Sequence, residues 1–275
     1  MAKISAKDVA KLRKMTGAGM MDCKNVLTEA EGDFDKAIDL LRKKGQKVAG
    51  KRAGRDATEG AMIAKVSDDA KNGVVIALNC ETDFVAKNED FVKFAHQIAD
   101  IALENLPKDI DELKALKMGD VTVGEEVINQ TGVIGEKLDL SQYGLISDES
   151  VAAYIHMGNK IATLAGFNKP VDAESSSEVV MQIAAMNPIA IDKDDVSQEV
   201  IDKELEIGKE LAIKEGKPED LAGKIAQGRL GKFFKLNTLL NQEYVKDKKK
   251  TVKDFLKGID KDLTVTKFYR FALDN

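Results

Sequence analysis

The sequence has 275 residues, a length that predicts two or three compact units. Hydrophobic residues make up 43% and charged residues 32%, a composition that excludes a disordered chain. No apolar stretch approaches the roughly 18 residues of a membrane span, and the charged start MAKISAKDVAKLRK lacks an export signal's apolar segment, so we expect a cytoplasmic protein. The net charge of −5 is uneven, because residues 1–55 hold 14 Lys and Arg but 7 Asp and Glu, which predicts a basic N-terminal part facing an acidic partner surface or nucleic acid.

The first 45 residues are predicted to form three short helices. Ser5 and Asp8 have the spacing of a capping box at the start of the first helix. The stretch 16–19 interrupts the helical pattern with two glycines, and Asp33 is placed to cap the third helix. A bundle this small is marginal alone, so it needs well-packed helices or a partner.

A basic run follows these helices. Between Arg42 and Arg55 there are seven basic residues, three glycines and no acidic residue. We interpret Gly45 as the end of the third helix and the run as a linker, so that residues 1–55 form one unit. The segment GQKVAGKR fits the spacing of a phosphate-binding loop, but it has arginine where such a loop needs Ser or Thr, and it follows a helix rather than a strand. The run also lacks aromatic residues that stack on bases, so nucleic-acid binding is the weaker hypothesis.

Residues 56–145 predict a hairpin followed by a helix. The segments 61–66 and 73–80 are rich in β-forming residues and flank a polar, turn-like stretch. A long helical pattern follows. Its buried stripe is predicted to contain Phe91, Phe94, Ala95, Ile98 and Ile101.

Residues 146–275 repeat this order. The segments 151–156 and 161–166 predict a second hairpin, and 176–186 predict a helix. The chain is therefore predicted to be α+β, with two related subdomains built on antiparallel sheets. An inserted helical hairpin of about residues 195–236, here called the arm, precedes a last strand in LTVTKFYRFAL. Such an arm is expected to pack on a partner or on another copy.

The sequence contains little that could perform covalent chemistry. His96 and His156 are its two histidines, and Cys23 and Cys80 are its two cysteines, without the spacing of a zinc or redox motif. No nucleophile elbow is present. We therefore expect a protein that is not an enzyme and holds no cofactor and no metal of its own.

Phe84 has two interpretations from the residues alone. It follows the polar run Glu81–Asp83 at the predicted exit of a strand, which would suit a side chain presented to a partner. It also lies seven residues before Phe91, so it could begin the buried stripe of the next helix. Periodicity alone favours the core.

Four motifs resemble one family, translation elongation factor Ts. They are TGAGMMDCKNVLTEAEGD at 16–33, CETDFVAKN at 80–88, YIHMGNKIATL at 154–164 and EGKPEDLAGKIAQGR at 215–229. The likeness covers nearly the whole chain in the right order. It implies a head similar to ubiquitin-associated domains, a two-part α+β core and a helical arm. It also implies a guanine-nucleotide exchange factor that binds elongation factor Tu.

The resemblance implies which residues meet that partner. In the family, the Asp-Phe pair of the TDFVAK motif enters the GTPase domain of elongation factor Tu, which here would be Asp83 and Phe84 within the motif that starts at Thr82 and includes Val85. Ile134 and His156 would shape the surface beside this pair. The head and the basic run would add Met20, Met21, Lys24 and Arg52.

Other interpretations stay open at this point. Met20, Met21 and His156 could be structural, and Lys24 and Arg52 could be solvated charges. The arm could reach another domain of elongation factor Tu or form a homodimer. The chain could instead be an RNA-binding or ribosome-associated protein that uses its basic head, or a plain adaptor.

Overall fold

The computed structural model describes residues 4–273, and it is α+β as predicted. A helical head precedes two halves that each contain a three-stranded antiparallel sheet. Among the described residues, no helix is long and apolar enough to cross a membrane.

The head consists of three helices around a small apolar core. Ser5 and Asp8 form the predicted capping box, and Asp33 accepts a hydrogen bond from the backbone N–H of Lys36 at the start of the third helix. The predicted end of that helix at Gly45 was wrong, and the basic run is not a linker, because the helix continues through it. The helices are α1 (Ala6–Thr16), α2 (Met20–Glu29) and α3 (Phe34–Arg52).

The first half contains the predicted hairpin, and a third strand returns to pair with the second strand of that hairpin. This third strand runs two residues beyond the predicted boundary at 145, because Ser147 pairs with Asn72. The elements are β1 (Glu59–Val66), β2 (Asn72–Cys80), α4 (Asp83–Ala86), α5 (Glu89–Asn105), α6 (Ile110–Ala115), β3 (Lys117–Met118), β4 (Val121–Thr122), α7 (Val123–Ile134) and β5 (Asp139–Ser147).

The second half repeats this topology with different insertions. Its last strand is the predicted one and pairs with the second strand of its hairpin. A single turn of 3₁₀ helix precedes the arm and another follows it. The elements are β6 (Ser150–Ile155), β7 (Ile161–Phe167), α8 (Ala173–Met186), α9 (Gln198–Lys214), α10 (Glu219–Asn237), β8 (Glu243–Tyr244), β9 (Asp247–Thr251), α11 (Val252–Ile259) and β10 (Val265–Ala272).

The two sheets pack face to face, with α5 outside the first and α8 outside the second. Val75 of β2 and Leu164 of β7 lie in the core between the sheets, whereas Ile76 faces α5. Because β2 is covered on both faces, its sequence VVIAL is apolar throughout rather than alternating. The strand order β1-β2-β5 corresponds to β6-β7-β10, so the predicted relationship between the halves is present in their topology.

The head is fixed to the first half through α3 and α7. Gly45 of α3 lies directly against Gly132 of α7, and a Cβ placed on Gly132 would overlap the backbone of Gly45. Val133 of α7 also packs against the apolar core of the head. Gly45 is therefore a packing residue inside a helix and not a helix end, which is why the sequence rule misplaced the boundary.

The arm is an antiparallel pair, α9 and α10. Small buried residues form the seam between the two helices. Gly208 allows this close approach, since a Cβ there would lie 3.1 Å from the Cα of Ala226. Larger apolar residues are left on the outside of the arm. They include Ile207, Leu211, Ile213 and Leu221.

Candidate functional site

Phe84 projects from the protein at the first turn of α4. Its exposed fraction is 84%, whereas that of Phe91 at the start of α5 is 2%. The interpretation of Phe84 as the start of a buried stripe is therefore wrong, and the stripe begins at Phe91. An aromatic side chain left this open is unusual for a soluble domain and points to a contact outside the chain.

The turn that carries Phe84 is held by its preceding threonine. The Thr82 side chain caps α4 by accepting from the backbone N–H of Val85 at 3.5 Å. Thr82 also donates its own N–H and its hydroxyl to the two carboxylate oxygens of Glu136, at 3.0 and 2.7 Å. Glu136 follows Gly135, which ends α7 in a left-handed conformation at φ 81°.

Glu81 binds the same turn to the end of the head. Its carboxylate accepts from the backbone N–H of Lys137 at 2.6 Å, from Arg52 at 2.6 Å and from Arg55 at 3.3 Å. These contacts, that from Lys137 first, hold the pKa of Glu81 below its ordinary value. Arg52, predicted to contact a partner, is thus half-buried in an intramolecular ion pair.

Asp83 stands on the exposed side of the turn next to Phe84. Its carboxylate accepts from Lys87, one helical turn later, at 2.7 Å. This hydrogen bond, aided by the charges of Lys87 and Lys160, keeps the pKa of Asp83 below its ordinary value. At neutral pH the Asp83 carboxylate is therefore ionised beside the apolar ring of Phe84.

The turn between β6 and β7 lies beside this surface. The backbone carbonyl of Asn159 accepts from the N–H of Met62 in β1 at 2.7 Å, and Lys160 pairs with Glu59 at the start of β1. His156 is exposed just after β6, with its Nδ1 2.7 Å from the Tyr154 hydroxyl. Met157, which the sequence analysis did not select, is 89% exposed at the tip of this turn.

Two predicted residues support the surface from below. Val85 and Ile134 are half-buried and pack against the core between the first sheet and α5. Ile134 ends α7 two residues before Glu136. Their side chains therefore position the turn, and only their exposed parts could meet a partner.

Beside His156 there is a cavity of about 440 Å³ in the second half. Its lining is mainly apolar and includes Tyr154, Met181, Tyr244 and Val245, with an ion pair between Lys246 and Glu178. A projecting ring at Phe84 and a concave apolar area at His156 are thus present on the same molecule.

The predicted residues of the head form a separate exposed area on and near α2. Met20, Met21 and Lys24 are all exposed on α2, and Met15 at the end of α1 is exposed as well. Methionine packs adaptably on irregular partner surfaces. The interpretation of Met20 and Met21 as packing inside the bundle is wrong, since the buried residues of α2 are Cys23, Val26 and Leu27.

The basic run is largely engaged within the chain. Arg42 pairs with Asp39 and Lys44 with Asp22, in addition to the pairs that Arg52 and Arg55 make with Glu81. Four of the seven basic side chains of this run therefore contact carboxylates of the same protein. This reduces the positive charge that the run could offer to phosphates.

The described residues show little that could carry out covalent chemistry. Burial raises the pKa of the Cys80 thiol to about 12, so this cysteine is protonated at neutral pH. Across residues 4–273, no group of three or more His, Cys, Asp or Glu side chains is arranged to hold a metal ion.

The structure brings Thr82, Asp83, Phe84, Val85, Ile134 and Arg52 to one region, and contacts through β1 place His156 beside it. The sequence analysis missed Glu81, Glu136 and Met157. The sequence could have indicated Glu136, since it follows Gly135, a glycine that ends a helix directly after Ile134. Its partner Thr82 is 54 residues away, however, and cannot be found from spacing.

Known proteins are similar to this sequence over nearly its whole length. A family model described as Elongation factor TS matches residues 81–275. A protein named Elongation factor Ts from Christiangramia forsetii is 55% identical over 275 residues, covering 99% of this chain and 100% of that protein. Proteins of the same name from Flavobacterium psychrophilum and Amoebophilus asiaticus are 52% and 53% identical, covering 99% and 97% of this chain and 100% and 98% of those proteins.

Proposed function

This chain belongs to the elongation factor Ts family, and from that membership we propose that it is a guanine-nucleotide exchange factor for elongation factor Tu in translation elongation. The single observation that carries this proposal is Phe84, an aromatic side chain 84% exposed on a turn fixed at both ends. We propose that Asp83 and Phe84 enter the GTPase domain of elongation factor Tu and loosen its hold on GDP.

Exchange needs a factor that prefers the nucleotide-free partner. By thermodynamic linkage, the ratio by which the factor weakens GDP binding equals the ratio by which GDP weakens binding of the factor. A projecting ring suits this task because it can fit one arrangement of a nucleotide-binding domain and clash with another. Nucleotide exchange changes no covalent bond, so this proposal requires no enzyme chemistry of the protein. We further propose that it acts in the cytoplasm, as the sequence analysis expects.

Phe84 alone cannot supply the required binding energy. Burying one phenylalanine contributes about 1.5–3 kcal/mol, which corresponds to a factor of roughly 10–150. Further contacts must add to it. We propose that these come from the exposed Met20, Met21 and Lys24 on α2, and from His156 with the exposed parts of Thr82, Val85, Ile134 and Arg52 near the turn.

We propose that the arm binds the arm of a second copy of the chain and so forms a homodimer. Its small buried residues hold α9 and α10 together, and its larger apolar side chains face outward. Helix α9 has five acidic and three basic residues, whereas α10 has two acidic and four basic ones. A two-fold arrangement would place α9 of each copy against α10 of the other, with opposite net charges facing each other.

The exchange function is tested by the release of fluorescent GDP from purified elongation factor Tu. Release should accelerate on addition of this protein at micromolar concentration. An unchanged rate of GDP release would refute the proposal. Strongly salt-dependent RNA binding that is lost when the charges of residues 42–55 are removed would instead support the RNA-binding alternative. Light scattering on the mixed complex measures its stoichiometry.

A further inference from the structure

Two short segments far apart in the sequence hold each other by reciprocal hydrogen bonds beneath Phe84. Glu81 accepts from the backbone N–H of Lys137 at 2.6 Å, and Glu136 accepts from the backbone N–H of Thr82 at 3.0 Å. Each segment thus supplies one carboxylate and one backbone donor to the other. The exit of β2 is thereby fixed to the chain between α7 and β5.

Of these two carboxylate contacts, that of Glu136 is the closer to Phe84 along the chain. Both of its carboxylate oxygens are used, because the Thr82 hydroxyl donates to the second at 2.7 Å. Hydrogen bonds to a charged acceptor are stronger than neutral ones, and a pair of them restricts direction as well as distance. Thr82 is two residues before Phe84, so its orientation sets the path of the chain into α4.

The helix α4 cannot maintain this geometry by itself. It contains four residues, and a helix this short is not stable in isolation because nucleation costs more than one turn of hydrogen bonds returns. Its N-cap contact, from Val85 to the Thr82 hydroxyl, is long at 3.5 Å. The ion pair between Asp83 and Lys87 across α4 is exposed, and exposed pairs contribute little to stability. The stronger constraint on the turn therefore comes from Glu136.

We infer that Glu136 is a positioning residue for nucleotide exchange. It fixes Thr82 in the orientation that starts α4 and thereby presents Phe84 to the partner. This inference rests on the proposed function and deepens it. Glu136 acts through Thr82 on the direction of the Phe84 ring. Loss of the carboxylate frees Thr82 and lets α4 fray, while the rest of the partner-binding surface stays in place.

The chain offers a matched control at the other end of α7. Glu125 accepts from the backbone N–H of Thr122, the N-cap of that helix, at 2.8 Å. Glu125→Ala therefore removes the same kind of carboxylate contact to a capping threonine, on the opposite end of the same helix. Any general effect of losing such a contact appears in both variants, and an effect on the Phe84 turn appears only in Glu136→Ala.

The first measurement uses the free, full-length protein. Amide hydrogen exchange is followed at Thr82, Ala86 and Lys87, whose N–H groups bond to Glu136, Thr82 and Asp83 respectively. Glu136→Ala should speed exchange at these three amides by about 10-fold to 100-fold, the factor that loss of a charge-assisted hydrogen bond produces. Glu125→Ala should leave them unchanged. Equal protection of the three amides in wild type and Glu136→Ala would overturn the inference.

The second measurement is GDP release from elongation factor Tu at varied factor concentration. Glu136→Ala should lower the maximal rate by about 10-fold or more, while the concentration for half-maximal rate changes less than threefold, because the other contact surfaces persist. Glu136→Gln, which keeps one acceptor oxygen, should fall between wild type and Glu136→Ala.

The outcomes separate the inference from the proposed function. If the wild-type protein does not accelerate GDP release from elongation factor Tu, the proposed function fails, and the role of Glu136 in nucleotide exchange fails with it. Faster amide hydrogen exchange in Glu136→Ala would then still locate the constraint on the turn. If the wild type is active and Glu136→Ala is equally active, only the inference is overturned. A shift in half-maximal concentration alone, at unchanged maximal rate, overturns it as well.

Discussion

Gly132 of α7 lies against Gly45 of α3 so closely that a side chain on Gly132 would overlap the Gly45 backbone. This contact joins the head to the core in the second half of α3. From there, the ion pair between Arg52 and Glu81 continues to the Phe84 turn. The orientation of the head relative to Phe84 therefore depends on two residues that have no side chains.

Substituting these two glycines should give opposite results. Gly132→Ala places a methyl group into backbone atoms and should destabilise the protein by about 1–3 kcal/mol, the usual cost of overpacking. In Gly45→Ala the new Cβ lies at an ordinary 3.5 Å from its nearest atom, the Asn129 carbonyl oxygen. Because alanine favours a helix over glycine by about 0.8–1 kcal/mol, this variant should stabilise the protein by up to that amount. Denaturant unfolding of both variants measures the difference, and equal destabilisation would contradict this account of the interface.

Phe84 and Phe91 should respond differently to alanine. Phe84→Ala should slow GDP release by a factor of roughly 10–150, the value of burying one phenylalanine, with the free energy of unfolding changed by less than about 0.5 kcal/mol. Phe91→Ala should lower the free energy of unfolding by about 3–5 kcal/mol, because this ring fills the core. Release assays and thermal unfolding on both variants check this. If Phe84→Ala unfolds the protein, the exposed position of the ring is wrong.

Glu81 predicts a specific pH dependence of stability. Its pKa is lowered in the folded state by the Lys137 backbone N–H, Arg52 and Arg55, so its contribution is complete above its ordinary pKa of about 4.5 and is lost as the pH falls through the lowered value. The difference in Tm between wild type and Glu81→Gln should be largest near pH 7 and should shrink towards zero below pH 4.5. Thermal unfolding between pH 7 and pH 3 measures it.

A second carboxylate provides the control for this experiment. The Glu149 side chain forms an exposed ion pair with Lys71 at 3.9 Å, and such pairs contribute little to stability. Glu149→Gln should therefore leave the Tm nearly unchanged over the same range. A difference between wild type and Glu81→Gln that stays constant from pH 7 to pH 3 would show that the charge of Glu81 is not what stabilises the contact.

Met157 should act as an additional apolar contact with elongation factor Tu. It is 89% exposed on the turn that bonds to β1, beside the region of Phe84. Met157→Gln, which has similar length but is polar, should weaken binding by roughly tenfold because the apolar area is no longer favourably buried. Met157→Leu should retain most of the affinity. Calorimetric titration measures both, and equal affinity of the glutamine variant would exclude Met157 from the interface.

The arm should control self-association. Replacing the exposed Ile207 and Leu211 together with alanine keeps helix propensity but removes apolar area, and should convert a dimer into a monomer in analytical ultracentrifugation. Raising the salt concentration should weaken the wild-type dimer, since opposite net charges on α9 and α10 would be screened. Ile189→Ala, at an exposed apolar position outside the arm, is the control. A wild-type chain that is monomeric at high micromolar concentration would contradict the homodimer.

Local patterns predicted many elements correctly for identifiable reasons. The capping box of Ser5 and Asp8, the two hairpins and the stripe beginning at Phe91 all depend on neighbouring residues or on one period. Gly45 failed because a glycine that ends a helix and a glycine that lets another helix approach look the same in a sequence. The third strand β5 was missed because its apolar and polar residues do not alternate regularly. Helix α7 was missed although Thr122 and Glu125 have the spacing of a capping box at its start.

The sequence by itself determined the α+β class, the order of its parts and the family, because composition, periodicity and motifs are properties of adjacent residues. Only the tertiary structure decided that Phe84 is exposed while Phe91 is buried, and that Arg52 forms an ion pair with Glu81. It also decided that Glu136 holds Thr82 across 54 residues. The physical reason is that exposure and hydrogen-bond partners depend on which distant segments the fold brings together, and a long-range contact leaves no fixed spacing along the chain.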